Sequence, residues 1–94
     1  VPETLHLLQY EYGGGDVAAR RAPHRPAHLD LIKAYEGDGR LVIAGAVGDP
    51  PRSGLLAFRS PDAAEAFVAD DPYVSSGLVE SWRVEPWTVV TALP

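Results

Sequence analysis

A histidine set in an apolar helical stripe is the first residue of this chain whose position suggests chemistry. On a helix turning about 100° per residue, Ile32 and Tyr35 point one way, with Leu29 and Leu31 on either side. His28 falls near the middle of that stripe, and Arg25 lies on the same side one turn earlier. Asp30, Lys33 and Gly37 take the opposite face. Burial of an imidazole favours its neutral form unless a carboxylate stands nearby. Asp71 supplies a candidate carboxylate: it follows Val68 by three residues and Phe67 by four, so it continues the apolar stripe of a second helix. At that helix's C-terminus the macrodipole disfavours an anion by about 0.3–1 kcal/mol, and a cationic or hydrogen-bonding partner offsets this. A His28–Asp71 pair would orient the ring, fix its tautomer and raise its basicity, as general acid–base work requires. The same pair could instead be a buried histidine bonded to a structural aspartate.

Other residues carry paired readings. Arg25 could hold an anionic or phenolic substrate by bidentate hydrogen bonds, or be a surface arginine at a helix start. Tyr73 could donate a proton or wall a pocket, or simply pack. Ser53 could donate to a substrate oxygen, or end a loop. His24 stands four residues before His28, but no third ligand follows by spacing, so no metal is expected. His6 has no evident partner. Gly13, Gly15 and Ala18 imitate a dinucleotide fingerprint, yet Pro23 cuts the following helix short and no ribose-binding acid is placed; the segment reads as a loop, and no cofactor is expected. Trp82 and Trp87 read as core or interface anchors.

These side chains must be positioned by a small scaffold. The chain has 94 residues and reads as one domain over 1–94. It contains no cysteine, which excludes disulfide staples and cysteine-ligated zinc. Its net charge of −5, from 8 basic and 13 acidic residues, lacks the cationic footprint of a nucleic-acid binder. No apolar run approaches the roughly 18 residues of a membrane helix, and no signal-peptide pattern opens the chain, so a cytoplasmic protein is expected.

The periodicities give strands at 4–12, 40–47 and 53–59, a helix running from Pro26 to about Gly37, and a helix opened by Ser60-Pro61-Asp62. Residues 17–26 are ambiguous. A weakly alternating strand at 78–84 and a short β-rich segment at 88–93 close the chain. The order β-α-β-β-α-β is that of an α+β, ferredoxin-like fold: an antiparallel sheet with both helices on one face. Leu41-Val42-Ile43-Ala44 and Leu55-Leu56-Ala57-Phe58 place apolar groups on both faces of that sheet. Helices cover only one, so the other is expected to meet a second copy of the chain in a homodimer.

Arg25-Pro26-Ala27-His28-Leu29, Gly39-Arg40-Leu41 with Ala44-Gly45, Asp71-Pro72-Tyr73 with Gly77, and Val84-Glu85-Pro86 together resemble the YciI-like (YCII-related) family over nearly the whole chain. The resemblance implies a dimeric α+β barrel of ferredoxin-like protomers and an active site containing a His–Asp pair, here His28 and Asp71. One relative is a dehydrochlorinase acting on a chlorinated hydroxyhydroquinone. The chain departs from the family pattern where Gly45-Ala46 replaces a Gly-Pro, in the short loop 48–52 and in the triple glycine 13–15. All three lie where a pocket would be shaped, so the substrate does not carry over. The resulting expectation is a cofactor-free acid–base enzyme (elimination, dehydrochlorination or isomerisation) acting on a small cyclic or aromatic compound, with an anionic or phenolic ligand as the candidate that Arg25 suggests. The alternative is a dimeric small-molecule-binding protein without turnover.

Overall fold

A computed structural model describes residues 3–93. Strand β1 (Glu3–Tyr12) leads through the glycine turn into a short helix α1 (Val17–Arg21), then α2 (Arg25–Gly37). Strands β2 (Leu41–Val47) and β3 (Ser53–Phe58) follow, then α3 (Pro61–Asp70), α4 (Pro72–Ser75) and β4 (Val79–Val89). The sheet order is β2-β3-β1-β4, and every neighbouring pair is antiparallel. This is the ferredoxin-like α+β arrangement, a split βαβ repeated once.

Local chemistry explains the element ends. The Asp16 carboxylate accepts from the Ala19 amide at 3.1 Å and starts α1; Ser60 does the same for the Ala63 amide at 3.1 Å and starts α3. The ambiguous stretch 17–26 therefore resolves into one capped turn of helix, a break at Ala22-Pro23-His24, and a new helix that takes Pro26 in its first turn. Gly39 follows α2 at φ +84°, a conformation that releases the chain into β2.

The C-terminal expectation of two separate segments is corrected: a single strand runs from Val79 to Val89. Pro86 argues for an interruption because it lacks an N–H, but β4 is an edge strand bonded only to β1, where Pro86 lies opposite His6. Proline is tolerated at an edge, where half of the amides face outward.

One face of the sheet carries Leu8, Tyr10, Leu56 and Phe58 and is covered by the helices. Phe67 of α3 meets Tyr35 of α2 edge-on at 5.2 Å and lies 5.4 Å from Phe58. These aromatic contacts lock both helices onto the sheet. The outer face has its own small cluster of Leu5, Ala57 and Val89, with Leu7, Val42 and Leu93 beside it. Ile43, Leu55 and Trp87 remain exposed on the same side.

Candidate active site

His28 occupies the first turns of α2, facing the sheet, and is buried. Its Nδ1 lies 2.8 Å from Oδ1 of Asp71. An ionised carboxylate can only accept, so Nδ1 carries the proton and Nε2 is left with its lone pair. Nε2 makes no hydrogen bond among the described residues, and His28 lines the cleft between α2 and the sheet. The imidazole stacks on Tyr73 with centroids 3.7 Å apart and planes 5° from parallel, while Phe67 meets it edge-on at 6.1 Å. Stacking and the Asp71 bond fix the ring's plane and its rotation.

Asp71 is 1% exposed and needs compensation for burial. Three donors supply it. The Tyr10 hydroxyl donates to Oδ2 at 2.7 Å, and His28 Nδ1 and the Tyr73 amide both donate to Oδ1, the latter at 3.0 Å. The local backbone accounts for the last of these. Asp71 ends α3 in an extended conformation and at the same position caps the N-terminus of α4. The unfavourable C-terminal dipole of α3 is thus set against the favourable N-terminal amide of the next helix. Burial raises the Tyr10 phenol far above its ordinary pKa, and the charge and hydrogen bond of Asp71 add to the shift. Tyr10 is therefore a fixed donor throughout the working pH range.

The cleft has a volume of about 370 Å³. Its polar lining is Tyr10, Tyr12, Arg21, Arg25, His28 and Tyr73, and its apolar walls include Leu29, Ile32 and Leu56. The Tyr73 hydroxyl is buried without a hydrogen-bond partner among the described residues. Tyr12 crosses Tyr73 edge-on at 6.4 Å, and its phenol lies over Gly54, where an added Cβ would sit 2.9 Å from the hydroxyl. Burial raises the Tyr12 pKa, as do Tyr73 and Asp71, while the charges of Arg21 and Arg25 oppose the shift. Ala44, Gly45 and Ala46 of β2 close one side of the cleft and also line a groove of about 330 Å³ on the outer face.

Of the residues singled out by sequence, the fold brings His28, Asp71, Tyr73 and Arg25 together around this cleft. Ser53 is separated from it. Ser53 begins β3 in phase with Leu55 and Ala57, on the outer face, whereas its neighbour Gly54 faces Tyr10 and Tyr12. His24 stands at the N-cap of α2 without a side-chain capping bond. Among the described residues no group of three His, Asp or Glu side chains is placed to hold a metal ion. Tyr10, Tyr12 and Arg21 are additions. The alternation Leu8-x-Tyr10-x-Tyr12 carried the signal for both tyrosines, since it puts them on one face of β1. Arg21 precedes Arg25 by four residues, but the Pro23 break hides the relation.

Residues 5–88 match the YCII-related domain. The chain is 33% identical to Protein YciI of Escherichia coli O6:H1 and equally to that of Shigella flexneri, in each case over 86% of this chain and 94% of the relative. Among solved structures it resembles the 5-chloro-2-hydroxyhydroquinone dehydrochlorinase TftG of Burkholderia phenoliruptrix AC1100, in complex with 2,5-dihydroxybenzoquinone. That match has a TM-score of 0.71 and 22% identity, covering 88% of this chain and 92% of the other. A protein of unknown function from Nitrosomonas europaea, NE2512, matches with a TM-score of 0.60 and 20% identity, over 99% and 95% of the two chains. At these identities the two structures establish the ferredoxin-like fold, while the domain match and the YciI relatives establish the lineage: the chain belongs to the YCII-related family.

Proposed function

We propose that the chain is a cofactor-free general acid–base enzyme in which Nε2 of His28 moves a proton on a small cyclic or aromatic substrate. The supporting observation is the bonded series Tyr10–Asp71–His28, which ends in an imidazole nitrogen with no hydrogen-bond partner among the described residues, at a cleft of ring-sized volume. In an elimination, a substrate proton passes to Nε2, its bonding pair forms the new double bond, and halide or another leaving group departs from the neighbouring carbon. Asp71 stabilises the imidazolium that results, and Tyr10 holds Asp71 in place. In an isomerisation Nε2 returns the proton to a different atom. The dehydrochlorination in the name of the Burkholderia neighbour is one reaction of this class.

The test is proton exchange in deuterium oxide, followed by NMR over a panel of hydroxyquinols and enolisable cyclic ketones, with chloride release measured for 5-chloro-2-hydroxyhydroquinone. For a substrate that the wild type turns over, His28→Gln and Asp71→Asn are expected to lower the rate by about 10²–10⁴. Equal rates in wild type and both variants would falsify the reading.

The same reading includes a homodimer formed through the outer sheet face. Ile43, Leu55 and Trp87 expose large apolar area beside an apolar groove there. An exposed apolar patch of this kind favours association, and a second copy offers the same patch for an isologous contact.

A further inference from the structure

Arg21 and Arg25 stand four residues apart where α1 gives way to α2, and both line the cleft of His28. Among the described residues neither guanidinium pairs with a carboxylate, whereas Arg40, Arg59 and Arg83 each do. Arg20, Lys33 and Arg52 likewise make no ion pair among the described residues, but Arg21 and Arg25 are the two cations that line this cleft. Tyr12 lines the same cleft as both arginines. The bare backbone at Gly54 gives that phenol its seat. Further in, the buried Tyr73 hydroxyl lacks a partner, and a buried polar group of this kind is satisfied when a ligand supplies one.

From this arrangement we infer that the cleft takes a ring-bearing carboxylate. Arg21 and Arg25 bind the carboxylate at the mouth, Tyr12 donates a third hydrogen bond to it, and the ring extends toward Tyr73 and His28. The guanidinium fork matches the planar carboxylate bidentately, and the Tyr12 phenol, kept protonated by burial, is a donor. The inference deepens the acid–base reading by naming its substrate class. It rests on the cleft being the ligand site, but binding of the carboxylate does not require turnover.

Benzoate, benzamide and phenyl phosphate are the probes, titrated by calorimetry and by NMR at low salt. Benzoate is expected to bind at least about tenfold more tightly than the isosteric neutral benzamide. Arg21→Gln and Arg25→Gln should each weaken benzoate about fivefold or more and leave benzamide unchanged. Neither guanidinium makes a hydrogen bond or ion pair among the described residues, so the variants should fold as wild type, which circular dichroism checks. Benzamide binding as well as benzoate, or Arg21→Gln leaving benzoate affinity unchanged, overturns the inference. Phenyl phosphate binding more tightly than benzoate also overturns it, since that would mark a phosphate site. His28→Gln separates the two readings. Turnover that falls in His28→Gln, with benzoate binding no better than benzamide in the wild type, defeats the carboxylate site alone. Unchanged turnover in His28→Gln with benzoate discrimination intact defeats the acid–base role alone.

Discussion

Removing one oxygen atom tests how the site is built. Tyr10 is fully buried, and its hydroxyl donates to the 1%-exposed Asp71 at 2.7 Å. Tyr10→Phe keeps the ring and its packing against the core but leaves Oδ2 of a buried carboxylate without a donor. A hydrogen bond to a charged group, together with the desolvation left behind, is worth ~2–3 kcal/mol. For a domain of this size that corresponds to a fall in Tm of roughly 8–24 °C. Since such domains hold about 5–15 kcal/mol, the variant still folds. The control is Tyr12→Phe, which removes a hydroxyl that makes no hydrogen bond among the described residues; it should stay within about 0.5 kcal/mol of wild type. Urea unfolding at pH 7 gives both numbers on one scale. If Tyr10→Phe costs less than about 0.5 kcal/mol, or no more than Tyr12→Phe, then Asp71 does not depend on the phenol and the bonded series is not a unit.

Two further outcomes follow from charge and exposure. The fold raises the pKa of Tyr10 and Tyr12 above the value of about 10 that a phenol has in an unfolded chain. Their contribution is complete below that pH and is lost as pH rises toward the folded-state values, because the unfolded chain releases those protons first. Stability should therefore fall above pH ~10 by up to ~1.4 kcal/mol per pH unit for each tyrosine. Tyr10→Phe should reduce that slope by one tyrosine, as read from urea midpoints between about pH 8 and pH 11; an unreduced slope refutes the assignment. On the outer face, Leu55→Glu should convert the proposed dimer to monomer in sedimentation velocity at micromolar concentration. A wild type that sediments as a monomer at the same concentration refutes the pairing.

The parts of the fold that were legible in the sequence are those governed by short-range periodicity. The position of His28 in its stripe, the Ser60 cap and the two-faced strands follow from spacing within one element. Asp71 could be matched to His28 because each continues an apolar face, and two faces packed on one sheet must meet. Tyr10 was not legible as the third member because its bond spans 61 residues and depends on which strand lies beneath the α3–α4 junction. Ser53 shows the cost of a one-residue phase. Its type suits a ligand contact, but the register of β3 against β1 turns Gly54 inward and Ser53 outward. Pro86 shows the converse: a residue that signals a break is harmless once the strand order puts it at an edge.

Strand β2 separates two environments with a wall one strand thick. Ala44, Gly45 and Ala46 border the helix-side cleft on one face and the apolar groove on the other. A Cβ added at Gly45 meets nothing within 4 Å, so the backbone accepts larger residues there without strain. Opposite Leu55, a side chain in place of Gly45 would project into the outer groove, whereas Ala44 and Ala46, opposite Leu56 and Gly54, face the cleft. The shape of the cleft and the shape of the outer groove are thus set by alternate residues of one thin strand, so a single substitution can alter either while the other keeps its side chains.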